Sequence, residues 1–457
     1  MPDPSPQNLT DPATPIAPPK IGAVTATNLV IANIIGTGVF TSLGFQLVTL
    51  NTGFALIALW VVGGLTALCG ALTYAELGAA LPRSGGEYNF LSQVYHPAAG
   101  FTSGWVSFTV GFAAPVALAA ITFGTYLSSI FPALSATPLA LGLVGALTVI
   151  HANSRRHSGG VQRSFTVLKI ALIVLFCLAA ALSLEAPQPV SFSPTVEAGS
   201  EVFCAAFAVS LIYVNYAYTG WNAATYLTSE LDNPQRDLPR ILAFGTAIVA
   251  LLYVALNVTF LRVAPAEAMV GKVEVGYIAA QSVFGPVGAT IMGTVLALLL
   301  ISTVSAMTLA GPRVLQVVGE DFPLFRSLAK TNADGLPARA VYVQSALAMA
   351  FILTGSFESI LIFAGFTLGL NSFMAVAGAF LLRWRQPERP RPYRIPFYPF
   401  PPLIYLGLTG WTMVYLLQAQ TREALLGLAI VALGLAVYAV ARRFNPAFTA
   451  GDSETAP

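Results

Sequence analysis

Short polar stretches divide this chain into twelve apolar runs, most of them long enough to cross a lipid bilayer. About 20 apolar residues span the hydrocarbon core as a helix. A segment at that depth must satisfy its backbone internally, so these runs are expected to be helices rather than strands of an open sheet. They lie at roughly 21–48, 53–80, 98–131, 136–153, 162–184, 201–228, 238–263, 286–317, 340–355, 357–383, 401–419 and 422–441. Only 9% of the residues are charged and 56% are hydrophobic, whereas soluble domains carry about a quarter charged residues. The fold class is therefore an all-α polytopic membrane protein. Two stretches are too short to span, 84–97 and 264–285, and read as interfacial hairpins.

The polar ends orient the bundle. An even number of spans puts both termini on one face. Of the 22 Lys and Arg residues, only Arg262, Lys272 and Arg422 fall on the opposite face, and Lys169 lies inside the fifth run. The positive-inside rule makes the termini cytoplasmic and places the chain in a cell (plasma or inner) membrane. Residues 1–20 read as a disordered polar tail and 442–457 as a second cytoplasmic tail. No cleavable leader pattern precedes the first run, which is expected to direct insertion itself. A net charge of +2 provides no footprint for nucleic acid. Cys69, Cys177 and Cys204 sit within apolar runs, and the three His residues show no metal-ligand spacing. No cofactor is implied.

Two runs are interrupted near their middles. The first contains Ile34-Ile35-Gly36-Thr37-Gly38-Val39-Phe40, and the sixth contains Asn215-Tyr216-Ala217-Tyr218-Thr219-Gly220-Trp221. These are corresponding places if 21–184 and 201–383 are two five-helix halves of opposite topology, followed by two further helices at 401–441. Paired glycine-interrupted helices at matching positions point to a transporter's binding site. An unwound turn frees amide and carbonyl groups. The half-helix that begins after the break suits a carboxylate, and the one that ends before it suits an ammonium. A zwitterionic amino acid offers both. Close helix packing is the competing role for Gly36 and Gly38, and ordinary packing is the competing role for Tyr216, Tyr218 and Trp221. Asn257, polar at mid-span in the seventh run, either helps line the pocket or bonds between helices.

At these residues the sequence resembles the amino acid–polyamine–organocation transporters. It is most similar to the branch holding bacterial amino acid permeases and the light chains of heteromeric amino acid transporters. Gly36-Thr37-Gly38-Val39-Phe40 resembles that branch's G-S-G-I-F, with Thr for Ser. Tyr74-Ala75-Glu76-Leu77-Gly78 and Pro82-Arg83-Ser84-Gly85-Gly86-Glu87-Tyr88 resemble its Y-A-E-L-G and P-x-S-G-G-E-Y. Tyr216-Ala217-Tyr218-Thr219-Gly220-Trp221-Asn222 is similar to F-A-Y-x-G-W-N, and Arg391-Pro392-Tyr393-Arg394-Ile395-Pro396 to R-P-F/Y-x-x-P. The resemblance implies a LeuT-type fold of five-plus-five inverted repeats with two additional helices, 12 transmembrane helices in all, with helices 1 and 6 discontinuous. It also implies that the substrate carboxylate meets amides around Thr37, Gly38 and Val39. The ammonium would meet carbonyls near Ile34 and Tyr216, with Tyr216 as an aromatic gate.

Lys169 is the one Lys or Arg within the apolar part of a run. It either snorkels to the interface or is functional, as intramembrane ionisable residues usually are. The resemblance favours the second reading, because sodium-independent relatives place a helix 5 lysine where sodium-coupled members hold the ion. Ser302 and Thr303 are then its expected partners, and burial would open a route to proton coupling. Glu76 and Glu230 read as salt-bridge partners of Arg83, Arg236 or Arg240. Helices 1, 3, 6, 8 and 10 carry no carboxylate near mid-span, which disfavours a cationic cargo. The expected function is sodium-independent secondary transport of small to medium neutral L-amino acids, by exchange or proton symport. The alternative is a polyamine or cationic amino acid exchanger of the same fold. No nucleophile and base pair marks an enzyme. The chain is expected to work as a monomer or homodimer, with no obligatory heavy chain.

Overall fold

The computed structural model describes residues 21–153, 160–183, 186–202, 204–322, 325–332 and 336–443. The tails expected at 1–20 and 444–457, and Arg155 and Arg156 of the basic face, lie outside the described residues. Ten described helices are long and apolar enough to cross a membrane: Ala23–Gln46, Gly53–Ala80, Pro97–Ile130, Ala136–Asn153, Ser164–Ser183, Pro234–Val263, Val275–Gln316, Phe357–Arg385, Phe400–Ala419 and Thr421–Arg443. Two shorter apolar helices, Ala205–Ala217 and Ala338–Thr354, take the sixth and ninth places. The protein is thus an all-helical polytopic membrane protein whose helices follow the twelve apolar runs.

Local chemistry sets where the helices begin. Pro97 and Pro234 open theirs at the first turn, where a missing N–H costs nothing. Thr52 and Ser356 cap theirs by accepting from the amides of Ala55 and Ser359. Leu182 is 87% exposed and Leu251 74%. Such faces are solvated by lipid, whereas in water they would be aggregation patches. Inside, small residues allow close approach: Gly63 packs on Val214, and Gly64 on Tyr218 and Ala250.

Two segments depart from expectation. The segment 264–285 is not an interfacial hairpin. Ala266–Met269 is a single turn, and a helix then begins at Val275 and continues into the eighth span across a kink at Gly285, where φ is 67°. Glycine carries that left-handed backbone without a Cβ penalty. The segment 84–97 contains the helix Glu87–Val94, which buries Glu87, Asn89, Phe90, Leu91 and Val94 inside the protein.

The acidic pairing also differs. Glu76, 2% exposed, accepts from Arg383 Nε at 2.7 Å and from the Ile395 amide at 2.7 Å, with Arg391 Nε 3.8 Å away. The partners are therefore Arg383 and Arg391, and neither Arg83, Arg236 nor Arg240. Among the described residues Glu230 forms no ion pair; its carbonyl accepts from the Ile21 amide at 2.7 Å. The Arg383 guanidinium lies 3.7 Å over the Tyr398 ring. Glu76 thus joins the second span, the end of the tenth and the loop before the eleventh. Arg383→Ala leaves a buried carboxylate short of its closest cation and is expected to cost about 3 kcal/mol of stability. Thermal unfolding in detergent measures it, and a smaller loss is expected for Arg391→Ala.

Candidate substrate site

Both interruptions are real breaks. The helix Ala23–Ile34 stops, the chain bends through residues 35–37 with Ile35 at ψ 84°, and a helix resumes as Gly38–Gln46. In the sixth span Ala205–Ala217 stops, the chain turns through 218–222 with Gly220 at φ 107°, and the 3-10 helix Ala223–Glu230 follows. The breaks abut. A Cβ on Gly38 would lie 2.5 Å from Ala217 Cα, and one on Gly220 would lie 2.8 Å from the Asn33 carbonyl carbon and oxygen. Gly36 is different, since its Cβ would meet nothing nearer than the Ile34 oxygen at 3.9 Å. Close packing is therefore the requirement at Gly38, and open space the environment of Gly36.

The carbonyls at the two breaks share one side-chain donor. Tyr253 of the seventh span donates its hydroxyl to Ile34 O at 2.7 Å and to Ala217 O at 3.1 Å. One tyrosine thereby holds the ends of both first half-helices together. Its ring packs among Tyr218 and Trp60, with centroids 5.1 and 5.5 Å away. In sequence Tyr253 is one more tyrosine in an apolar helix. Asn257, one turn on, donates to the Tyr253 carbonyl at 2.8 Å, and its Oδ1 has no partner. Asn257 therefore backs Tyr253 and does not line the cavity.

A cavity of about 410 Å³ lies at the breaks. Ile34, Gly36, Thr37 and Gly38 line it from the first span, and Tyr216, Ala217, Tyr218, Gly220 and Trp221 from the sixth. The Val39 side chain is buried outside it. Tyr218 sends its hydroxyl away from the cavity, to the Trp60 carbonyl at 3.1 Å. A π-helical segment, Ser107–Phe112, contributes Ser107, Gly111 and Phe112 from the third span, and such widened turns are frequent at functional sites. The exposed Arg313 also lines the cavity, which is thus reached from the basic face. Toward the opposite face Phe45 stacks on Tyr213 and Phe357, centroids 5.6 and 5.7 Å away, and Tyr213 donates to Glu358.

Lys169 is 3% exposed, which excludes snorkelling. Its Nζ donates to Ile35 O at 2.8 Å and to Thr303 Oγ1 at 3.0 Å, so the fifth span is tied to the first break and to the eighth span. Ser302, adjacent to Thr303, is buried as well. Among the described residues no carboxylate lies within ion-pair distance of Lys169. Around it is a much smaller space lined by Gly36, Thr37, Phe40 and Thr303.

One carboxylate does line the main cavity. Glu87 enters from the short helix between the second and third spans. It accepts from Tyr74 Oη at 3.0 Å, and from Asn222 Nδ2 and Tyr226 Oη. It lies outside the long helices. Its one mark in the sequence is its place in the Ser84-Gly85-Gly86-Glu87-Tyr88 run.

Residues 21–436 match the family model described as amino acid permease. The human large neutral amino acids transporter small subunit 2 is 29% identical over 429 residues, covering 92% of this chain and 79% of that protein. The serine/threonine exchanger SteT of Bacillus subtilis (strain 168) is 28% identical over 428 residues, covering 92% of this chain and 96% of that protein. The human b(0,+)-type amino acid transporter 1 is 24% identical over 435 residues, covering 94% and 89%. The match runs from the start of the first span into the twelfth and takes in both breaks, so the chain belongs to the amino acid permease family, whose members here are transporters and not enzymes.

Proposed function

We propose that the chain is a sodium-independent secondary transporter of small to medium neutral L-amino acids. It works by alternating access, as an exchanger or proton-coupled symporter, in a cell membrane with both termini cytoplasmic. The observation that carries the reading is the abutment of two broken helices beside one cavity. At Thr37, Gly38 and Val39 the resumed helix starts, and its first amides have no intrahelical acceptor. They and the positive end of that half-helix receive the substrate carboxylate. Carbonyls near Ile34 and Tyr216 receive the ammonium, and the Tyr216 ring covers the substrate. The Val39 side chain takes no part, but its N–H does. The spans 21–184 and 201–383 act as inverted halves around this point, with 401–441 outside them. The Lys169 ammonium, held by neutral oxygens of Ile35 and Thr303, supplies the positive charge that a sodium ion would bring.

The relatives' names, a serine/threonine exchanger and a large neutral amino acids transporter, agree with a neutral cargo. Glu87 is the observation that favours the second reading, a cationic amino acid or polyamine. Its oxygens accept from three side chains that hold it in the wall, and the relatives' names carry the preference for a neutral cargo. Uptake of labelled alanine, serine, leucine and arginine into proteoliposomes holding this chain alone decides. Neutral substrates are expected to enter with choline in place of sodium. Arginine outcompeting them overturns the neutral cargo, and loss of uptake in choline overturns sodium independence. No activity without a second subunit would overturn the single-chain reading.

A further inference from the structure

The second half of the sixth span is poorly self-supported. Ala223–Glu230 is a 3-10 helix in which Leu227 leaves helical geometry, with φ −120° and ψ 19°. Hydrogen bonds of 3-10 helices are weaker than those of α-helices, so a segment of this kind needs outside partners. The loop Ser84-Gly85-Gly86-Glu87 supplies them along its length. Ser84 Oγ accepts from the Ser229 amide at 3.0 Å, and the Gly86 amide donates to Thr225 O at 3.3 Å. Glu87 takes the Asn222 amide and the Tyr226 hydroxyl on its two oxygens. Gly86 has φ 53°, and a Cβ there would stand 3.0 Å from the Tyr226 ring and 3.1 Å from Thr225 Oγ1. The loop can lie this close because the position is glycine.

We infer that Glu87 is a positioning residue for substrate binding, acting through Asn222. The inference rests on the transporter reading and goes beyond it. Asn222 and Trp221 form cavity wall in the turn between the two helices of the sixth span. Trp221 leans edge-on against Tyr74, centroids 4.6 Å apart, and Tyr74 donates to the same carboxylate at 3.0 Å. One buried carboxylate therefore sets the second span, Asn222 and Tyr226 relative to one another. Hydrogen bonds to an ionised acceptor are among the strong ones, and members of such a network act together. If the carboxylate loses its acceptor pair, Asn222 is free to turn and the cavity wall shifts.

Glu87→Gln keeps the shape and converts one acceptor into a donor. The KM for the transported amino acid is expected to rise ~10-fold, with maximal rate and protein yield held within about twofold, the pattern of lost binding. Asn222→Ala added to Glu87→Gln is expected to change KM less than about twofold further, because the two substitutions break one interaction. An unchanged KM in Glu87→Gln, or effects that multiply in the double variant, overturns the inference. Should Glu87→Gln not be recovered folded, Tyr226→Phe decides: a KM rise of about threefold or more supports it, and the parental KM overturns it. A purely structural role lowers yield and leaves KM alone. Uptake by the unsubstituted chain separates failure of this inference from failure of the transporter reading.

Discussion

Gly38→Ala is expected to lower uptake at least ~100-fold, a loss of about 3 kcal/mol in transition-state or binding free energy. The added Cβ would stand 2.5 Å from Ala217 Cα and 2.6 Å from Ala217 Cβ. The Cα is backbone and cannot swing aside, so the two breaks must part. Parting separates Ile34 O from Ala217 O, and Tyr253 then loses one of the two carbonyls it bridges at 2.7 and 3.1 Å. The amides that start the resumed helix move as the breaks part. Gly36→Ala is the control. Its Cβ meets only the Ile34 oxygen, at 3.9 Å, so a milder fall of ~10-fold is expected from a methyl group entering the cavity. Initial rates of uptake in proteoliposomes, normalised to inserted protein, measure both. Parental rates in Gly38→Ala would show that the abutment of the two breaks is not needed for transport.

Lys169→Ala is expected to cost a similar ~100-fold in uptake. Removing the ammonium deprives Ile35 O and Thr303 Oγ1 of a donor deep in the protein; the Thr303 hydroxyl still donates to Leu299 O, and the Ile35 carbonyl left without that donor costs about 1–3 kcal/mol. The larger effect is mechanical, since Lys169 is the cross-tie between the first break and the eighth span. Lys169→Arg is not expected to restore activity. The space around Nζ is of the order of a single water molecule, about 10 Å³, and a guanidinium is larger and presents a fixed fork where the ammonium is a point charge. The pH profile of the residual rate distinguishes the coupling schemes. A flat profile beside a sloping parental one assigns the coupled proton to Lys169, whereas a profile of unchanged slope ends protonation of Lys169 as the coupling step. Uptake near the parental rate in Lys169→Ala would end the role of the cross-tie.

The twelve spans and the two breaks were legible because they are written in local composition. A run of apolar residues long enough for the bilayer admits one backbone solution, and a Gly-x-Gly in its middle invites a break at that point. Lys169 stood out for the same reason, since a charge in an apolar run is costly wherever it is unpartnered. The resemblance to amino acid transporters rested on motifs that the family match over residues 21–436 supports.

What remained for the tertiary structure was which residue meets which. Tyr253 is one aromatic among many in spans that are apolar all round, and no periodicity marks the face that meets the breaks. Asn257 drew notice as a polar residue, yet it serves the helix that presents Tyr253. Glu76 was matched with arginines close in sequence, whereas Arg383 and Arg391 lie about 300 residues away and reach it only when the tenth span packs on the second. Glu87 lies in a segment too short to span, and burial of a short helix is decided by its neighbours. Lipid selects spans by length and polarity, which each stretch of sequence carries within itself. Pairing between helices depends on their rotation and depth, which become defined only when all of them are packed.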